Sequence, residues 1–219
     1  MTGRDEERAL LRALVDAHGE TYAEEAGITL RDTPQPLYRL LVLAHLLSAR
    51  INGSIAVASA RALHEAGLRD PRRMAGADRQ ERVDALGRGG YRRYDERTAT
   101  QLGEEAVVLT DRWGGDLRRL RAEADGDVGE LRRLLREFPG VGPAGADIFL
   151  REVQRVWPET APYLDRKALD GARRLGLPQD PDRLVDLAGR TEPAVLAAAL
   201  VRAAIGRNVA DDVLSRTAG

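Results

Sequence analysis

From end to end, the apolar residues of this chain recur at three- and four-residue spacing, with no alternating β-branched run. That period puts side chains on one face of a helix, whereas a half-buried strand needs strict alternation. The periodic stretches are Glu6–Ala26, Pro36–Ala49, Ser54–Ala66, Arg79–Leu86, Glu96–Trp113, Gly129–Glu137, Ala144–Val156, Arg166–Leu175, Pro181–Ala188 and Glu192–Ile205. Breakers fall between them: Asp32-Thr33-Pro34, Asp70-Pro71, Gly87 to Gly90, Gly114-Gly115, Pro139 to Gly142, Trp157-Pro158 and Gly176 to Pro178. The expected fold is all-α, with about ten helices. No repeat of fixed period and no low-complexity tract is present.

At 219 residues the chain is long enough for one large domain or two small ones. Its 43% hydrophobic and 32% charged residues are the balance of a folded chain rather than a disordered one. The first residues, Met1-Thr2-Gly3-Arg4-Asp5-Glu6-Glu7, are polar and acidic, so no secretory signal is expected. The longest apolar stretches, Leu40 to Leu47 and Ala194 to Ile205, are too short or interrupted to span a bilayer. A cytoplasmic location is the expectation.

Cysteine is absent, which excludes disulfides, thiolate zinc sites, iron–sulfur clusters and cysteine nucleophiles. The three histidines, His18, His45 and His64, have no paired-ligand spacing, so no metal site is expected. His45 lies inside the apolar run 40–47 and reads as a satisfied core or groove residue. Of the basic residues, 33 are arginine and one, Lys167, is lysine. Arginine keeps its proton in a protein, whereas lysine can lose one, so amine chemistry is confined to Lys167 or the chain's amino terminus.

A net charge of −1 does not advertise nucleic-acid binding, which would require basic residues gathered on one face. Leu117-Arg118-Arg119-Leu120-Arg121 and Leu131 to Arg136 look like basic patches, but solvated helix faces beside nearby acids are the preferred reading. Arg88-Gly89-Gly90-Tyr91-Arg92-Arg93-Tyr94 differs, because it interleaves glycine, aromatics and arginine in a loop. Such a loop suits a phosphate backbone and an exposed base, or is an ordinary glycine-rich connector.

Leu131 to Glu137 is helical, Pro139 to Gly142 interrupts it, and Pro143 starts another helix. Gly140 and Gly142 permit positive φ and close backbone approach, while Val141 between them can anchor the turn in the core. The free N–H groups opening the second helix form an anion site, with Pro143 at a position where its missing N–H costs nothing. On DNA the anion is a phosphate; a plain αα-corner without ligand is the alternative.

This pattern resembles the helix-hairpin-helix DNA glycosylases, of which endonuclease III is the familiar member. Phe138-Pro139-Gly140-Val141-Gly142-Pro143-Ala144-Gly145-Ala146-Asp147 matches the family's hairpin, and Tyr163 to Gly176 is similar to the segment carrying its catalytic Asp. Leu46-Leu47-Ser48-Ala49-Arg50 is similar to the family segment whose last residue fills the gap left by a flipped nucleotide. Gly90-Tyr91 followed by Thr98-Ala99 looks like its strand-wedging loop, with extra residues between. The four segments occur in the family's order over roughly residues 30 to 180.

The resemblance implies a two-domain glycosylase fold with the active-site cleft between the domains. A six-helix domain would run over 30–157, and 1–29 would join 158–219 as a second domain carrying the catalytic Asp. Asp165 is the implied catalytic carboxylate, although from spacing alone it reads as a helix N-cap. DNA contacts are implied for Arg50, Gly90, Tyr91, Arg92, Gly140, Val141, Gly142 and Ala144. Tyr38, Trp157 and Tyr163 are the aromatics offered for stacking on a flipped base, with core packing the ordinary alternative. Asp147 either faces the DNA side or completes a local network.

Two departures from the family matter. Its iron–sulfur members end in a four-cysteine loop, absent here, so no cofactor is expected; the resemblance leaves room for a monovalent or divalent cation at the hairpin. Bifunctional members place a lysine where this chain has Ala144, so their Schiff-base route has no amine at that place. Lys167, two residues from Asp165, is a relocated candidate for that amine or a phosphate contact. The expected function is excision of a damaged or mispaired base from double-stranded DNA, monofunctional unless Lys167 acts, by a monomeric, nucleoid-associated protein. The rival from another class is a non-catalytic module that grips DNA structures by its hairpin.

Overall fold

The computed structural model describes residues 3–206 and 208–217, so the amino-terminal amine lies outside the described residues. These residues form fourteen α-helices and no strand. In chain order they are α1 (Gly3–His18), α2 (Tyr22–Glu25), α3 (Pro34–Ser48), α4 (Gly53–Glu65), α5 (Pro71–Gly76), α6 (Arg79–Arg88) and α7 (Asp95–Trp113). There follow α8 (Leu117–Glu123), α9 (Val128–Leu135), α10 (Pro143–Val153), α11 (Arg166–Arg174), α12 (Pro181–Ala188), α13 (Pro193–Ile205) and α14 (Val209–Thr217). No single helix among the described residues is long and apolar enough to cross a membrane.

The excess over ten helices has local causes. The stretch expected as one helix over Glu6–Ala26 breaks at Gly19, where a Cβ would lie 2.6 Å from the Val15 carbonyl oxygen and 2.8 Å from Val195 Cγ1. Helices α5 and α8 are too short for a periodic signal, yet each begins on a capping aspartate, Asp70 or Asp116. Six helices start this way, on Asp70, Asp78, Asp116, Asp127, Asp165 and Asp180, each carboxylate accepting from a first-turn N–H.

The chain divides into two units, residues 22–159 and residues 1–21 with 160–219. Residues 22–29, expected in the unit with the chain ends, belong instead to the larger one. The cause is Glu152 on α10, whose buried carboxylate accepts from the N–H groups of Tyr22 (3.3 Å) and Ala23 (2.8 Å) and so caps α2.

Each unit is built on one helix that is apolar all round, the pattern of a buried helix. In the larger unit this is α3, whose Leu37, Leu40, Leu41, Leu43 and Leu46 have no exposure, and α4, α8 and α10 pack on it. In the smaller unit it is α13, against which α1, α11, α12 and α14 pack. These are the two apolar stretches noted in the sequence, used here as cores.

A buried guanidinium joins α5, α6 and α7. Arg82 donates to the carbonyls of Met74 (2.8 Å), Ala77 (2.7 Å) and Ala99 (2.7 Å). Gly103 on α7 leaves room for it, since a Cβ there would sit 2.8 Å from the guanidinium carbon.

Candidate functional site

The hairpin is built from α9, the turn 136–142 and α10. Leu131, Leu134 and Leu135 bury one face of α9, and Phe138 follows them inward, its ring centroid 5.3 Å from that of Trp113. The Val141 N–H donates to the Phe138 carbonyl at 3.0 Å and closes the turn. Gly140 at the apex has φ +83°, where a side chain is strained. Space forbids one as well: a Cβ at residue 140 would lie 2.4 Å from His45 Cε1 and 2.5 Å from His45 Nε2. Val141 is buried, as an anchor for the turn must be.

Gly142 is the N-cap of α10 and offers no side chain to it, and Pro143 occupies the first turn. Gly142 therefore gives the first-turn N–H groups no side-chain cap at the positive end of an eleven-residue helix, an arrangement that can receive an anion. Ala144 is exposed within that turn and brings no amine. Asp147 lies one turn further on. Its carboxylate accepts from Arg132 Nε at 2.6 Å, so it is a strut bracing α10 against α9.

Beneath the apex is a pair that the sequence reading did not assemble. His45 on α3 and Glu105 on α7 are both buried, with Nδ1 of His45 2.9 Å from Oε2 of Glu105. Burial pushes the Glu105 carboxyl up, and the hydrogen bond and charge of His45 hold it back. Its other oxygen, Oε1, has no hydrogen-bond partner among the described residues. The signal was present: Glu105 shares the apolar face of α7 with Leu102, Ala106 and Leu109, a place where an acid needs a buried partner.

The loop between α6 and α7 corrects one expectation. Tyr91 does not reach outward; it is buried, its hydroxyl 3.0 Å from Thr98 Oγ1. The loop must turn back into the core there, and Gly90 allows this with φ +88°. The exposed aromatic is Tyr94. Arg92 is exposed, as is Arg50 at the end of the α3 segment.

Several arginines of the two arginine-rich helix stretches are paired: Arg118 with Asp116, Arg121 with Asp32 and Glu159, Arg132 with Asp147, Arg133 with Glu130 and Glu137. Among the described residues, no carboxylate lies within ion-pair distance of Arg50, Arg88, Arg92 or Arg93. The paired arginines of the two arginine-rich stretches fit solvated helix faces beside acids, while Arg119 and Arg136 in the same stretches have no ion pair among the described residues.

Asp165 is the N-cap of α11, its Oδ1 accepting from the Ala168 N–H at 3.1 Å. Lys167 is exposed in the first turn of the same helix. Helix α11 lies against α13 at unusually short range through Gly171, where a Cβ would fall 1.8 Å from the Leu200 carbonyl oxygen. Among the described residues no group of three potential ligands could hold a metal ion.

Two of the aromatics offered for base stacking are core residues. Tyr38 is 1% exposed and Trp157 fully buried, so neither ring has a face for a base. Trp157 stacks edge-on against Phe149 at 5.6 Å and donates through Nε1 to Asp32 at 2.9 Å. The Tyr38 hydroxyl finds no hydrogen-bond partner among the described residues, and burial raises its pKa well above the usual value. Tyr163 is half-buried.

No protein-family description matches the chain, and no characterised protein is detectably similar in sequence. Solved structures are similar to it. One is a trapped covalent endonuclease III–DNA intermediate, an estranged-adenine complex: 18% identity over 92% of this chain and 86% of that chain, TM-score 0.53. Another is a non-covalent endonuclease III–DNA complex, also 18% identical with the same coverage, at TM-score 0.57. The fold is thus the all-α fold of the helix-hairpin-helix DNA glycosylases. Within it this chain, having no cysteine, has no thiolate with which to hold an iron–sulfur cluster.

Proposed function

We propose that the protein is a DNA-repair glycosylase that extrudes a damaged or mispaired base from double-stranded DNA and cleaves its N-glycosidic bond. The observation that supports this best is the Gly140–Gly142 turn. It leads into a helix start without a side-chain cap, on a fold shared with proteins solved in complex with DNA. Extrusion costs a few kcal/mol of stacking and pairing. Phosphate contacts at the hairpin offset part of that, and Arg50, exposed and without a carboxylate partner, fills the vacated space. As the glycosidic bond breaks, positive charge grows on the sugar, and the Asp165 carboxylate stabilises it and orients the attacking water.

Ala144 gives the hairpin no amine, so the reading is monofunctional: base release without strand cleavage. The test is a panel of duplexes, each with one lesion or mispair, assayed separately for free base and for nicks. Free base without nicks from at least one duplex is the expected result. Binding without release from any duplex would instead favour a non-catalytic DNA-gripping module, in which Asp165 serves only as the cap it forms with Ala168.

The grip has its own test. Gly140→Ala forces a side chain into left-handed backbone, at a cost of about 1–2 kcal/mol, and into the His45 ring. The displaced turn loses its phosphate contact, and duplex affinity, measured by fluorescence anisotropy at fixed salt, is expected to fall about tenfold, the size of one hydrogen bond to a charged group of about 1.5 kcal/mol. Unchanged affinity would remove the hairpin as the grip.

Lys167 is tested by borohydride trapping on abasic-site DNA. The monofunctional reading expects no covalent adduct. An adduct that disappears in Lys167→Ala would show that lyase chemistry has moved to this amine.

A further inference from the structure

Under the hairpin apex lies a histidine–acid pair that packing alone does not call for. The His45 side chain is 5% exposed and that of Glu105 not at all, with Nδ1 2.9 Å from Oε2. Apolar residues of similar size would fill this space without the cost of desolvating charge. The pair is to be explained by what it presents.

Burial decides how many protons the two side chains share. With one, as carboxylate and neutral imidazole, the pair carries a net negative charge into the core. With two it is neutral overall, the state that burial favours. The second proton gives either an imidazolium beside a carboxylate or an imidazole beside a carboxylic acid. In both forms Nδ1 is engaged with Glu105, and Nε2 carries a proton. The upward push of burial on the Glu105 carboxyl is the same preference.

Nε2–H is therefore a donor, and the fold supplies no acceptor. Among the described residues Nε2 has no hydrogen-bond partner, and it is not sealed in the core as Glu105 Oε1 is. It lies against the hairpin, 2.5 Å from where a Cβ of residue 140 would stand. Three residues on, along the same face of α3, Ser48 meets the first turn of α10, its Oγ 3.6 Å from the Cβ position of Gly145. The ring edge thus sits beside the stretch 140–145, which leads into the helix start that Gly142 leaves without a side-chain cap. A nearly buried, unpartnered N–H set beside such a helix start is a further donor for an anion.

We propose that His45 is a DNA-binding residue whose Nε2–H, held in place by Glu105, donates to the phosphate received at the Gly140–Gly142 turn. This rests on the DNA reading above and adds a side-chain donor from α3 to the backbone grip.

The experiment uses the full chain, isotope-labelled at its histidine nitrogens, and a plain duplex. The His45 ring signal is the one that remains after His18→Gln and His64→Gln. On addition of duplex its Nε2 proton is expected to move downfield in the NMR spectrum and to exchange more slowly with water, as a donor covered by a phosphate does. A histidine that only packs has no reason to change at Nε2. In anisotropy, the double variant His45→Leu/Glu105→Leu should bind duplex about tenfold more weakly, the worth of one hydrogen bond to a charged group. Replacing both residues avoids leaving Glu105 buried alone. A parent that binds duplex with Nε2 unprotonated, or with its proton signal unchanged, overturns this assignment and leaves the DNA reading standing. So does a folded double variant that binds as tightly as the parent. If the double variant does not fold, the proton signal decides by itself. A parent that does not bind duplex overturns both readings.

Discussion

Asp165→Asn is expected to lower base excision by about 10²–10⁴-fold, the range for losing a general base or a charge that stabilises the transition state. Duplex affinity and thermal stability should stay near the parent values. Asparagine caps helices as well as aspartate, so the bond from the Ala168 N–H survives while the charge is removed. The cap geometry of Asp165 carries no argument for catalysis, because five other helices begin the same way. Asp180→Asn is therefore the matched control: it caps α12 in the same unit, accepting from the Arg183 N–H at 2.8 Å. Excision should fall in the first variant and not in the second. Equal activity in both, at equal stability, would reduce Asp165 to a cap. Base release from the appropriate lesion, followed in single turnover, separates chemistry from product release.

Gly171→Ala should be the most damaging single methyl group in the smaller unit. Its Cβ would sit 1.8 Å from the Leu200 carbonyl oxygen, 2.7 Å from the carbonyl carbon and 3.3 Å from the Ala204 nitrogen. All three are backbone atoms of α13, so no side chain can swing aside and the two helices must separate. Overpacking costs about 1–3 kcal/mol when side chains can adjust. Here at least about 3 kcal/mol is expected, a fall in Tm of roughly 6–12 °C for a chain of this size. Because α11 carries Asp165 at its start, excision measured well below the new Tm should fall as well. Gly176→Ala distinguishes crowding from backbone strain: φ is +69° there, but nothing lies within 4 Å of the added Cβ. Its cost should be only about 1–2 kcal/mol. A Gly171→Ala protein as stable as Gly176→Ala would mean that α11 and α13 are not packed this closely.

The Phe138–Gly142 turn was legible because its information is local. A positive φ, a missing N–H at Pro143 and an absent amine at Ala144 depend on one residue each. The all-α class was legible for the same reason, since a periodic stretch such as 96–113 carries its own pattern. Helices α5 and α8 escaped because they are too short to show a period. The Glu6–Ala26 stretch misled because its apolar spacing continues through Gly19, where contact with Val195 on a distant helix ends the first segment.

The site was read less evenly. Tyr38, Tyr91 and Trp157 are aromatics in plausible places, and their burial is what withdraws them. Exposure depends on what packs above a ring, and Trp157 is covered by Phe149, Asp32 and Arg121. Glu105 was visible as an acid on an apolar face, but its partner His45 lies on another helix.

By itself, then, the sequence determined the helical class, the hairpin with its uncapped helix start, the absence of thiolate ligands and the missing hairpin amine. Each follows from residue type and spacing within a few positions. Only the tertiary structure decided which arginines keep an uncompensated charge, that His45 rather than open space lies under Gly140, and that Tyr94 rather than Tyr91 faces solvent. Those properties arise between groups far apart along the chain, such as Arg121 and Glu159 or Arg82 and Ala99. Burial and charge compensation are sums over such neighbours, and no periodicity encodes them.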